Sequence, residues 1–208
     1  HITGTGILYV NGVDVQADGQ ILATGRFDYQ GGGRIVRLNQ DGSRDLSFAS
    51  DGVTTNGYGY DVLALADGRV ALIGASLANF SSFVLLDSNG AHSGSLSSST
   101  TFNTLAAQAN GKILAGGSIT SGVMRRLSTG ASDTDFGTSA GTALNGTAHA
   151  IALGPDGRIW LGGSFTDWNG TTVSNLVAIN GDLYEPAIID HPESLVLDPA
   201  SNAVFSVD

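Results

Sequence analysis

Apolar and polar residues alternate along most of the chain, and short glycine-containing turns interrupt the alternation at regular intervals. Four segments carry the pattern: VDVQADGQILATG from Val13, VLALADGRVALIG from Val62, LAAQANGKILAGG from Leu105 and IALGPDGRIWLGG from Ile151. A period of two puts successive side chains on opposite faces of a strand, so each segment predicts two strands joined by a tight turn. Asp-Gly or Asn-Gly at the junction predicts a two-residue type I′ turn, in which both central residues have positive φ.

The turn glycines Gly19, Gly68, Gly111 and Gly157 are 49, 43 and 46 residues apart, and Gly25, Gly74, Gly117 and Gly163, which close the second runs, repeat these spacings. The hairpin therefore has one length in every copy, and insertions fall elsewhere. A third strand follows in each copy: RIVRLNQDG from Arg34, FVLLDSNG from Phe83, VMRRLSTG from Val123 and NLVAING from Asn175. Phe48, Leu96 and Phe136 stand six residues past the first three of those closing glycines and predict the start of a short, more polar fourth strand, with Asp45 and Asp133 three positions before the two phenylalanines. No segment of helical period is long enough to matter.

A unit of four antiparallel strands in 40–50 residues, repeated, is the pattern of a β-propeller blade. The fold class read from the sequence is therefore all-β, a propeller occupying residues 1–208 as one domain, with repeats at about 13–60, 61–103, 104–150 and 151–193. The segment SLVLDPASNAVFSVD, 194–208, reads as a further hairpin, and TGTGILYV, 3–10, as the strand before the first copy. Five blades, one thin and shared between the termini in residues 194–208 plus 1–12, are expected. Four blades with the tail packed outside, or a fragment of a longer array, are the alternatives. An Ig-type sandwich would lack the repeat and a parallel β-helix would have a shorter one.

The strings QADGQILATGRF, RLNQDGSRDLSF, QANGKILAGGS, SDTDF and GPDGRIWLGGSF resemble the delta-60 repeat family of bacterial propellers over about Val13 to Gly181. The second copy departs most, with LLDSNGAHSGSL, and the fourth has LYEPAII in place of the last strand. The resemblance implies a module of a larger extracellular or cell-surface bacterial protein. A start at His1 and not Met is expected of a processed or excised piece.

Composition narrows the functional classes. Nine basic residues against 19 acidic ones give a net charge of −10, which opposes binding to nucleic acid or anionic lipid, and no apolar run is long enough to predict membrane insertion. The absence of cysteine excludes disulfides, thiolate metal sites and cysteine nucleophiles. Thirty glycines follow from sharp turns and crowded inner strands.

In a propeller, the turns between strands one and two and between three and four share one face. Here that face is nearly uniform from copy to copy, and the opposite face collects the variable segments 26–34, 54–61, 75–82, 118–122, 143–150 and 164–174. Diverging loops on a repeated frame are candidates for binding. They hold aromatic residues beside amides and carboxylates, a composition suited to sugars: Asp28 with Tyr29, Tyr58 and Tyr60, Asn79 with Phe80, and Asp167 and Asn169 flanking Trp168. The expected function is a non-catalytic recognition or adhesion module that binds a glycan or surface protein and uses no cofactor or metal. The rival is a structural or oligomerisation module of a surface fibre, with a homo-oligomer as its partner.

Catalytic readings are weaker. GTSAG, 137–141, matches a nucleophile-elbow pattern without its strand-turn-helix setting. His92, His149 and His191 have no metal-ligand spacing, and the acidic turns NQDGSRD and LDSNG complete no calcium loop and are read as turn formers. Asn79, Asn145 and Asn169 begin glycosylation sequons in form. A glycoside-hydrolase-like propeller would need two carboxylates, such as Asp28 and Asp167, about 5–10 Å apart.

Overall fold

The computed structural model describes residues 7–27, 35–48, 58–75, 81–97, 100–119, 121–139 and 144–182. The expected hairpin at 194–208 and the LYEPAII segment lie outside them, as do Asp28, Tyr29, Asn79, Phe80 and His191. Four antiparallel sheets follow one another along the chain. The first holds β1 (Ile7–Val15), β2 (Ile21–Phe27) and β3 (Ile35–Leu38), and the second β4 (Tyr58–Ala64), β5 (Val70–Ala75), β6 (Ser81–Leu86) and β7 (His92–Ser97). The third has β8 (Phe102–Ala107), β9 (Ile113–Gly117) and β10 (Val123–Arg126), followed by a six-residue helix, α1 (Thr134–Ser139). In the fourth, β11 (Thr147–Leu153), β12 (Arg158–Ser164) and β15 (Leu176–Asn180) pair in that order, and the small hairpin of β13 (Asp167–Trp168) and β14 (Thr171–Thr172) is inserted between β12 and β15.

The first strands β1, β4, β8 and β11 each contact the next in turn, and the sheets stack face to face. Leu22 and Ile35 of the first sheet meet Val62, Leu72 and Val84 of the second. Ile73, Phe83 and Leu85 meet Phe102, Leu105 and Ile113 of the third, whose Leu114 and Val123 meet Ile159, Leu161 and Ile179 of the fourth. Period-two alternation explains why both faces of a middle sheet are apolar: each face belongs to a different interface.

Each first strand begins earlier than its motif. Ile7–Val10, expected to end a preceding blade, belongs to β1 and pairs with Gly25 to Phe27 of β2, and Tyr58 and Tyr60 lie on β4 instead of a loop. The added stretch contains a β-bulge in all four copies, at Asn11, Tyr60, Asn103 and His149. The bulge turns a strand-one carbonyl onto the glycine that closes strand two. A Cβ at Gly74 would stand 2.0 Å from the Tyr58 carbonyl oxygen, and one at Gly163 2.0 Å from that of Thr147.

The Asp-Gly turns are not type I′. Gly19 N–H donates to the Gln16 carbonyl and Gln16 N–H to that of Gln20, and of the turn residues only the glycine has positive φ, 83°. This is a type I turn closed by a left-handed glycine, a three-residue loop repeated at Gly68, Gly111 and Gly157. Type I geometry accepts Asp or Asn before the glycine and Pro155 one position earlier, and the Asp18, Asp67 and Asp156 carboxylates each accept the N–H two residues on. A type I′ pair does occur at Asn169 and Gly170, with φ of 50° and 80°, joining β13 to β14.

Among the described residues the fourth strand does not start at Phe48 or Phe136, and an anchored plug stands there instead. After one bridge, Leu38 to Arg44 or Arg126 to Ser132, the chain leaves the sheet, and Phe136 falls in α1. Arg37 pairs with Asp45 at 2.7 Å and lies 4.6 Å from the centre of the Phe48 ring; Arg125 pairs with Asp133 at 2.8 Å and lies 4.3 Å from Phe136. Gln16 and Gln108 accept from the two guanidinium groups. Each phenylalanine seals an interface, Phe48 between the first and second sheets and Phe136 between the third and fourth. The second copy has Leu85 where the first and third have arginine, and there the chain pairs as the regular strand β7.

Candidate functional site

The first strands start at the variable-loop face, and their opening residues form a cluster there. Tyr9 and Tyr58 occupy equivalent positions, ten residues before Gly19 and Gly68, so they are neighbours on adjacent blades. Their rings stack with centroids 6.3 Å apart and planes 27° from parallel, and the Arg26 guanidinium lies 5.2 Å from the Tyr58 centroid. Tyr9 is 43% exposed, Arg26 is exposed and Tyr58 is half-buried, so the cluster presents aromatic surface and a cation to solvent. Beneath it, Asn11 Nδ2 donates to the Gly59 carbonyl at 2.7 Å and fixes one blade against the next.

The inner strands are further tied by carboxylates. An unpaired edge leaves amides to satisfy. Asp14 Oδ2 accepts Ala64 N–H at 2.7 Å, and Asp61 Oδ2 accepts Leu105 N–H at 2.8 Å, each from the next blade. Burial pushes the Asp61 carboxyl above its usual range against the N–H bonds it accepts from Leu105 and Val62, and the charge of Asp14 adds to the push.

Of the residues singled out in the sequence, Tyr58 belongs to this cluster, whereas Tyr60, at the bulge, is partly buried against the core between the second and third sheets. Asp167, Trp168 and Asn169 lie two blades from β4, on the β13–β14 hairpin. Trp168 packs on the core between the third and fourth sheets and bridges to Leu144. Asp167 Oδ1 accepts Gly170 N–H at 2.8 Å, so this carboxylate supports its own turn, while Asn145 Oδ1 accepts the N–H groups of Thr166 and Asp167. Tyr9 and Arg26 were missing from the candidate set. Extending the repeat alignment four residues upstream of Val13 and Val62 exposes the Tyr9–Tyr58 equivalence.

On the opposite face several charges are paired. The side-chain hydroxyl of Ser47, its N–H and Arg37 hold the Asp45 carboxyl down at about 2, against the upward pull of burial. Burial likewise opposes the lowering of Asp133 by hydrogen bonds from Lys112 and Arg125. Asp182 of the fourth blade binds Lys112 and Arg125 of the third, both at 3.0 Å. Among the described residues no three His, Asp or Glu side chains converge as metal ligands would.

Repeated sheets of three or four antiparallel strands, stacked face to face with their inner strands tied edge to edge, define a β-propeller. Residues 16–48 and 154–182 match the family model described as domain of unknown function (DUF5122) beta-propeller. Solved structures of the same fold include a proposed gluconolactonase, with TM-score 0.53 and 16% identity over 84% of this chain and 59% of that one. A protein of unknown function from Bacteroides caccae has TM-score 0.52 and 12% identity over 82% of this chain and 63% of that one. The extracellular domain of a proposed one-component system from B. thetaiotaomicron has TM-score 0.52 and 15% identity over 82% of this chain and 21% of that one. The chain thus spans less than two thirds of each of these, and at these identities the likeness is one of fold. No curated protein sequence matches it.

Proposed function

We propose that this propeller, with blades of the delta-60 type, is a non-catalytic recognition module of a larger extracellular bacterial protein, and that it binds a glycan on the variable-loop face. The observation that carries this reading is the stacked, partly exposed Tyr9–Tyr58 pair with Arg26 beside it. A sugar C–H face packs on such a ring, and the guanidinium donates to hydroxyl or carboxylate oxygens. The hairpin at Trp168 joins strands two and three of its blade, a connection of the variable-loop side; its aromatic ring is partly committed to the core, which makes Tyr9 and Tyr58 the better contacts. The extracellular placement draws on the similar fold of a bacterial extracellular domain. A hydrolase pairing of Asp28 with Asp167 is disfavoured because the Asp167 carboxylate already caps Gly170. The test is a glycan array probed with the intact chain and with Tyr58→Ala. A set of glycans bound by the first and not by the second is expected; no binding by the intact chain overturns the reading.

A second reading, a structural or oligomerisation module, is favoured by the apolar end faces. On the first blade Val13 and Val15 are exposed, and on the fourth Trp160 and Leu176 are, on the sides turned away from the described interfaces. Such faces are covered in a closed ring or by another copy.

A further inference from the structure

The interface between the second and third blades differs from the two beside it. Phe48 and Phe136 seal those, whereas here the regular strand β7 stands opposite a blade that has left its sheet after β10. The mismatch leaves a cleft of about 190 Å³ lined by Phe83, Leu85, Ser93, Gly94, Arg126, Thr129 and Gly130. At about 30 Å³ per water it has room for about six. Gly94 adds to the space, since a Cβ there would meet only Leu85 Cβ, at 3.9 Å.

Arg126 is 8% exposed, and its Nε is buried without a hydrogen-bond partner. Nη1 donates to the Gly130 carbonyl at 3.2 Å, and the guanidinium lies 5.8 Å from the Phe83 ring centre. No ion pair among the described residues includes it, although the chain carries a net charge of −10. Buried arginine is ordinarily paired, because an uncompensated buried cation costs several kcal/mol. The other interior guanidinium groups obey this rule: Arg37 has Asp45 and Arg125 has Asp133. Leu38 stands at the position equivalent to Arg126 in the first blade, so the fold itself does not require a cation there.

We propose that this cleft is a binding site for a carboxylate group, which pairs with the Arg126 guanidinium that lines it while the Ser93 and Thr129 residues border it. The site is separate from the tyrosine cluster, which lies at the other end of the blades. The carboxylate could come from a free small acid or from a glutamate side chain of a peptide. Titrating the intact chain with acetate, with succinate and with an end-capped Gly/Ser pentapeptide carrying one central Glu distinguishes these sources. The readouts are the arginine Nε–H NMR signals and Tm, at constant ionic strength in chloride. The signal that disappears in Arg126→Lys is expected to shift saturably with at least one probe, with a rise in Tm that Arg126→Leu abolishes. Lack of a saturable shift with all three probes, or an equal Tm rise in Arg126→Leu, overturns the proposal. If Arg126→Leu does not fold, the NMR titration of the intact chain decides alone.

Discussion

The charged residues of the turn face are the ones whose structural role can be tested most sharply. Asp45 is the acceptor on which Arg37, Gln20 and Ser47 converge. Its folded-state pKa, held down at about 2, lies below the ordinary value of about 3.9, so its contribution is complete above that value and is lost as pH falls towards 2. Asp45→Asn should destabilise the protein by about 1–3 kcal/mol at pH 7 in denaturant titrations, and the gap to the parent chain should narrow below about pH 4. Asp61 has the opposite sign: burial raises its pKa, so its ionised form costs stability near neutrality and acid relieves that cost. At this scale the sequence was only half legible. Asp45 and Phe48 stood out by their repetition, but nothing in a one-dimensional pattern says that the partner of both is Arg37, across the turn before them. Trp168 stood out by its polar neighbours, yet Asp167 and Asn145 serve the local backbone.

The hairpins were the most legible elements, because the Asp-Gly turn and the closing glycine are both demanded by backbone sterics. The turn type was misjudged because Asp-Gly serves a type I turn with a left-handed glycine as readily as a type I′ turn. The bulge was hidden because it changes the register by one residue without changing the composition. Gly74→Ala tests it. The new Cβ would meet the Tyr58 carbonyl at 2.0 Å, and a loss of about 1–3 kcal/mol is expected from the denaturation midpoint. Gly94→Ala, with open space around its Cβ, should change stability by less than about 1 kcal/mol. Equal effects of the two substitutions would contradict the account of the bulge. The fourth strands were the least legible, since a plug and a strand can share the same sparse apolar spacing, and the presence of Arg37 or Arg125 against Leu85 is what separates them.

For the whole molecule, the 43–49-residue spacing fixed the propeller before any contact was known, because four-stranded units of that length bury their faces only by stacking. The ring's closure was beyond reach, since it depends on which surfaces meet at the ends. The exposed Val13, Val15, Trp160 and Leu176 make light scattering informative. A monomer mass near 21.2 kDa is expected of a ring that the chain closes itself, and a stable dimer would favour the oligomerisation module. The central claim concerns the variable-loop face, and the most direct measurement is the affinity of a glycan selected on the array, taken for the intact chain, Tyr9→Ala, Tyr58→Ala and Trp160→Ala. Loss of about 1 kcal/mol or more of binding in both tyrosine variants, with Trp160→Ala unchanged, is the predicted result. Binding that survives both tyrosine substitutions would contradict it.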